Sequence, residues 1–206
     1  MELVDEKVDF DPNRSHLIFG GRNAFMSFFG PDVAMCGPQW SAMQVVITDH
    51  HLTTKEIPAA EAVVNPNQLD CEFPSKALAG VGVAFYLLAR LSSYRSQLGK
   101  STSKVAQYLD LVALGTYADV ASLDYNNRIL VDAGVKRIQQ NQCRAGISAL
   151  LDIAGRDPAQ LKAQDLGFVL GPRVNAAGRM ETMDIGIECL LAQDMQSAYP
   201  LAQQLN

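Results

Sequence analysis

The stretch "VVITDHHLTT", Val45 to Thr54, ends a short apolar run in an acid and two histidines, Asp49, His50 and His51. In open α/β sheets the ligand crevice lies outside the carboxyl ends of the strands, and this triplet occupies that position. Carboxylate and neutral imidazole are ordinary donors to manganese-like or zinc-like cations, and successive residues can turn one to metal and the other to substrate. The same triplet also suits a solvated surface loop. A second carboxylate, Asp119 in "LGTYADVASLD", follows a glycine-containing segment, where it reads either as a helix cap or loop residue, or as a further ligand. In "GPRVNAAGRM", Gly171 to Met180, two arginines and an asparagine stand among residues too small to obstruct an approaching group. Arg173 and Arg179 can each present a bidentate fork to a phosphate, with Asn175 as a further donor. The alternative is a helix-linking loop with solvated arginines.

The elements that must carry these residues fall into four segments. Glycines and prolines interrupt 1–44 before any periodic run reaches helix length, leaving "HLIF" and "FMSFF" as short strands. "VVIT" and "AVV" (Ala62 to Val64) read as strands buried on both faces, as in a parallel α/β sheet, with "NPNQ" turning the chain after the second. Ser75 is the expected N-cap of "KALAGVGVAFYLLARL", whose Leu78, Val81, Phe85, Leu88 and Leu91 form one apolar stripe, with Gly80 and Gly82 permitting close packing against a sheet or ligand. "SSYRSQLGKSTSK" then reads as a helix end and loop. Further on the pattern is helical: "VAQYLDLVAL", a loop "GTYADVASLDYNN" whose Asn126 or Asn127 caps "RILVDAGVKRIQQNQ", then "GISALLDIA". "DPAQLKAQDLGFVL" opens on an Asp cap with Pro in the first helical position, and "MDIGIECLLA" and "DMQSAYPLAQQLN" are two further helices. The expected fold class is α/β, with few parallel strands followed by a mainly helical portion.

The chain has 206 residues, 48% of them hydrophobic and 19% charged, the composition of a globular protein rather than a disordered one. Its net charge of -5 supplies no general attraction for a polyanion, so a nucleic-acid substrate would have to meet a local arginine cluster or metal ions. Cys36, Cys71, Cys143 and Cys189 are far apart and lack any C-x-x-C pair, as expected of reduced core thiols. No apolar run approaches the roughly 18 residues of a membrane span. The acidic start "MELVDEKVDFD" is unlike a basic signal peptide, and a cytoplasmic location is expected.

"VITDHH", "FPSKALAGVGVAFYL", "LDLVALGTYADVASLDYNNRILVDAGVKRI" and "LGFVLGPRVNAAGRMETMDIGIECLLA" together resemble, in order and spacing, the RecJ-type single-strand-specific exonucleases of the DHH phosphoesterase family. The resemblance covers about residues 45–206. It implies phosphodiester hydrolysis by two divalent cations, Mn2+ or Mg2+, with single-stranded DNA degraded from its 5′ end in recombination and repair. It also implies that His50 and Asp119 are metal ligands, that Asp49 and His51 support metal and scissile phosphate, and that Arg173, Asn175 and Arg179 hold substrate phosphate. No membrane association is implied, and repair-protein partners are not identified.

The first 44 residues do not resemble the family's N-terminal half, where a D-x-D motif and a second aspartate-ended strand supply most ligands of the first metal. Asp9 and Asp11 in "VDFDPN" form the one D-x-D arrangement there. Residues 1–44 are therefore expected to be a divergent segment and 45–206 a truncated DHH-type domain without its C-terminal associated domain. A chain so composed is expected to be inactive as a nuclease. A phosphoesterase for small phosphates and a non-catalytic single-strand binder are the competing readings.

Overall fold

The computed structural model describes residues 16–19, 45–53, 60–176 and 184–206. "FMSFF", Asp9, Asp11, Cys36 and Arg179 lie outside the described residues, as does the side chain of Asn175. The chain divides into two compact units, Met1–Lys76 and Ala77–Asn206.

The first unit carries three strands, β1 (His16–Phe19), β2 (Val45–Thr48) and β3 (Ala62–Val64), in the order β1-β2-β3. Both pairings are parallel, with Ile18 opposite Ile47 and Ile47 opposite Val63. Ile47 and Thr48 are buried, in keeping with a central strand covered on both faces. Asp49 extends the ladder by one bond, its N–H donating to the Val64 carbonyl at 3.0 Å.

The second unit is helical: α1 (Gly80–Gln97), α2 (Leu109–Ala118), α3 (Tyr125–Gln139), α4 (Ala145–Ile153), α5 (Gly171–Ala176), α6 (Asp184–Leu191) and α7 (Met195–Gln204). Between α4 and α5 the chain makes a 3-10 turn (Pro158–Gln160), one α-turn (Ala163–Asp165) and a π turn (Leu166–Leu170). On α3, Leu130, Val131, Gly134, Val135 and Ile138 recur at helical spacing and are buried. Val131, Val135 and Ile138 join a core that includes Leu114, Ile147, Leu150, Leu151, Leu166, Leu170 and Cys189. Each fully buried Leu or Ile contributes about 1.5–3 kcal/mol.

Several helix boundaries differ from the expected ones, each for a local reason. Ser75 does not cap α1, which starts at Gly80 after an extended Ala79 with no side-chain cap. The preceding backbone is already engaged, the Lys76 carbonyl accepting from Asn67 Nδ2 at 3.1 Å. Gly82 is buried, and a Cβ there would meet Leu78 Cδ2 at 3.0 Å. In the expected apolar stripe Leu78, which precedes α1, is buried whereas Leu91 is exposed, and within α1 the buried aliphatic side chain is Val83, off that stripe.

Asn126 and Asn127 do not cap α3; Asp124 does, accepting from Asn127 N–H at 2.8 Å. Asn127 serves instead as a bridge, its Nδ2 donating to the carbonyls of Ala77 at 2.7 Å and Ser122 at 2.8 Å. "GTYA" is the last turn of α2 rather than loop, and "GPRVNA" is helix α5. Asp157 caps as expected, but only a 3-10 turn follows. Cys189 is buried, while Cys71 and Cys143 are half-buried; these three thiols are free. Burial pushes the Cys143 and Cys189 thiols up, keeping them protonated at neutral pH.

Helix α2 runs against α3 at backbone distance. A Cβ on Gly134 would overlap the Leu109 carbonyl oxygen and stand 2.5 Å from Ala113 Cβ. Asp110, fully buried, ties the same helix to the start of α4: its carboxylate accepts from Leu111 N–H at 2.8 Å and Arg144 N–H at 2.9 Å. Gly134→Ala is therefore expected to force the two helices apart, at a cost of about 2 kcal/mol. That corresponds to a melting temperature lower by several degrees, roughly 2–4 °C for each kcal/mol in a chain of this size. Thermal unfolding followed by circular dichroism checks it.

Candidate metal and phosphate site

The triplet predicted to do chemistry sits where the strand order places it, immediately beyond β2. Asp49 is largely enclosed, its side chain 13% exposed, and its Oδ1 accepts three bonds: from His50 N–H at 2.8 Å, His51 N–H at 3.2 Å and the His51 ring Nδ1 at 2.8 Å. A carboxylate only accepts, so Nδ1 is the donor, and a neutral His51 ring then carries its lone pair on Nε2. This carboxylate–imidazole pairing fixes the tautomer and ring direction of ligating histidines. The His51 side chain is 65% exposed, and its ring lies 4.3 Å from that of His50, centre to centre.

The loop is braced from below by residues read in the sequence only as a turn. Asn65, buried, donates from Nδ2 to the His51 carbonyl at 2.9 Å, and Asn67 Nδ2 donates to the His50 carbonyl at 2.7 Å. Asn65 Oδ1 accepts from Asn67 N–H at 2.8 Å, and Thr53 Oγ1 donates to the Asn67 carbonyl at 3.0 Å. Lys76 Nζ closes the turn on the Pro66 and Cys71 carbonyls, each at 2.5 Å. The available signal was two asparagines flanking a proline at a strand end, but nothing local shows that their amides reach back to the β2 loop.

In the second unit Asp119 is the C-cap of α2, exposed, its N–H donating to the Gly115 carbonyl at 2.9 Å. The next two residues complete a Schellman cap: Val120 N–H donates to Tyr117 at 3.2 Å and Ala121 N–H to Thr116 at 3.1 Å. Val120 therefore occupies the left-handed position at φ 53°, where a β-branched residue is strained, and its side chain is 87% exposed. The "GPRVNA" helix abuts this cap, a Cβ on Gly171 falling 3.8 Å from Ala118 Cα. Two of the three candidate stretches, Asp119 and the Arg173 motif, are thus neighbours. The Arg173 fork is turned onto its own chain: Nη1 donates to the Val169 carbonyl at 2.7 Å, and Nε and Nη2 donate to Asn206 Oδ1 at 3.0 and 2.8 Å.

The sequence pattern of the DHH family, N-terminal domain, matches residues 31–116. The single-stranded-DNA-specific exonuclease RecJ of Dickeya dadantii is 55% identical over 168 residues, 79% of this chain and 29% of that protein. The chain belongs to the DHH family. It spans 29% of the length of that curated relative. A crystal structure of an exonuclease RecJ bound to manganese superposes with a TM-score of 0.67 at 34% identity, covering 80% of this chain and 40% of that one. RecJ from Thermus thermophilus in complex with Mg2+ gives 0.59 at 28% identity, covering 82% of this chain and 27% of that one. The fold is accordingly that of a DHH-type α/β domain with few parallel strands and a helical remainder, as expected from the sequence. No helix among the described residues is long and apolar enough to cross a membrane.

Among the described residues the donor set does not by itself fit a closed divalent-cation site. Asp49 Oδ1 is engaged by three donors, and no group of three or more His, Cys, Asp and Glu among the described residues is placed to hold a metal ion. Hard divalent cations take about six donors, mostly oxygens.

Two outcomes follow from this geometry. Asp49→Ala removes the acceptor that fixes the His51 ring; nitrogen-15 NMR of the imidazole is expected to show an Nδ1–H tautomer in the native chain and a shift toward Nε2–H in the variant. Val120→Gly relieves the left-handed strain, worth roughly 1–2 kcal/mol per residue for a side chain with a Cβ. Against the extra backbone entropy of glycine, about 0.5–1 kcal/mol, the net expectation is a gain of about 1 kcal/mol and a melting temperature higher by a few degrees. An unchanged or lowered melting temperature would mean that Val120 makes a contact outweighing its strain.

Proposed function

We propose that this chain is part of a RecJ-type exonuclease that hydrolyses phosphodiesters of single-stranded DNA from the 5′ end with divalent cations, Mn2+ or Mg2+, in recombination and repair. The observation that carries the reading is the Asp49 clamp: a carboxylate at the end of a parallel strand that accepts from the backbone N–H groups of His50 and His51 and from the His51 ring. The identity to single-stranded-DNA-specific exonucleases supports the substrate class. His50 and Asp119 are assigned to metal, Asp49 and His51 to support of metal and scissile phosphate, and Arg173, Asn175 and Arg179 to substrate phosphate. Such cations supply Lewis-acid stabilisation of the phosphoryl group and a hydroxide nucleophile when bound.

This chain's own residues orient and bind. Asp49 holds the His51 ring, Asn65 and Asn67 hold the loop backbone, and Arg173 exchanges the neutral Asn206 amide for an anionic phosphate oxygen. Because the donors among the described residues do not close a cation site, weak metal affinity and no nuclease turnover are assigned to the chain on its own, and a cytoplasmic location is part of the same reading.

The test incubates the purified chain with Mn2+ and 5′-phosphorylated single-stranded DNA, alongside titration of Mn2+ followed by electron paramagnetic resonance. The expected result is intact DNA and no stoichiometric binding of Mn2+. Nucleotide release that vanishes in His50→Ala would overturn the inactivity, and turnover of small phosphates without action on DNA would overturn the substrate class.

A further inference from the structure

The π turn Leu166–Leu170 buries three of its five residues, Leu166, Val169 and Leu170, while Phe168 is left 83% exposed. Its neighbour Gly167 packs on Tyr117, a Cβ there falling 3.1 Å from the Tyr117 ring, and Gly171 packs on Ala118. The turn is therefore seated on the last turn of α2, beside the cap that carries Asp119. Phe168 is the apolar side chain of this turn that no core contact explains.

The turn also alters which residues share a face. Residues five apart point about 140° apart in a regular α-helix of 3.6 residues per turn. The i→i+5 closure of a π turn takes up an additional residue, so Phe168 and Arg173 come closer to a common face than α-geometry would place them. Exposed aromatic rings beside cations are the elements with which proteins hold unpaired nucleobases and their phosphates. A protein-docking surface calls for a contiguous apolar patch. The π turn carries one exposed ring, Phe168, followed by a helix with the guanidinium of Arg173, whereas the exposed Val120 nearby belongs to the cap of α2 and not to the turn.

We propose that Phe168 is a base-stacking contact for single-stranded nucleic acid, which fixes the nucleotide whose phosphate exchanges with Asn206 on Arg173. The proposal rests on the single-strand reading of the same site. Stacking acts on every base alike, so it selects an unstacked strand over a duplex without reading sequence.

The test measures low-salt binding of the full chain to a short oligothymidylate and to an abasic strand of equal length and charge, by fluorescence anisotropy. The native chain is expected to prefer the base-bearing strand about tenfold, the scale of a single stacking contact. Phe168→Ala and Phe168→Leu are expected to bind both strands with the abasic affinity, and Phe168→Trp to restore the preference. Because Phe168 is exposed, the melting temperatures of the variants are expected to match the native one. Equal native affinity for both strands, lost at high salt, overturns stacking and leaves the phosphate reading standing. No native binding to either strand overturns both. A preference that survives Phe168→Ala overturns the assignment of the ring.

Discussion

Helix α2 is approached closely on several sides, and the helical unit depends on that closeness. Gly134 of α3 lies against Leu109 and Ala113, Val81 of α1 covers Gly115, Gly167 of the π turn rests on Tyr117, and Gly171 rests on Ala118. Where glycine replaces a side chain at such crossings, dispersion contacts are gained along the whole backbone and no volume remains for relaxation. The opposite end of α2 is anchored by the buried Asp110 carboxylate and the Arg144 backbone. Arg144 in turn lies over the Tyr108 ring at 4.9 Å. An axis held at both ends places Asp119 as a consequence of packing rather than of loop conformation.

The strand-end loop in the first unit is built on a different principle. It has little apolar burial, and its shape comes from amides: side chains of Asn65 and Asn67 substitute for the main-chain partners that an irregular loop lacks. Both constructions keep a candidate residue in place, one by apolar crossing and one by hydrogen bonding. The DHH triplet and Asp119 thus sit at the ends of elements, where backbone geometry is fixed.

Sequence patterns located what depends on local periodicity. The strands "HLIF", "VVIT" and "AVV", the helix around "GISALLDIA" and the two helices containing "IGIECLL" and "QSAYPLAQQ" all stand where apolar spacing put them. Helix ends were less legible because capping is decided by competition. Asn127 suits a cap chemically, yet its amide is drawn to Ala77 and Ser122, leaving Asp124 to accept the orphan N–H. "GPRVNA" reads as loop because Gly and Pro begin it, but Pro is tolerated in a first helical turn. In the site, the histidines and arginines were visible as residue types. The bracing asparagines, the strained Val120 and the outward Phe168 arise from contacts or turn geometry without a sequence period of their own.

The bonds from Asn65 and Asn67 to the DHH loop span 14 and 17 residues, reaching past the whole β2 to β3 crossover. Closing a loop of that length costs entropy before any contact repays it, and parallel pairing is slow for the same reason. The acid and histidines are therefore contiguous in sequence but nonlocal in assembly. Their arrangement has to await β3 and the turn after it, so during folding the motif is present well before the site is.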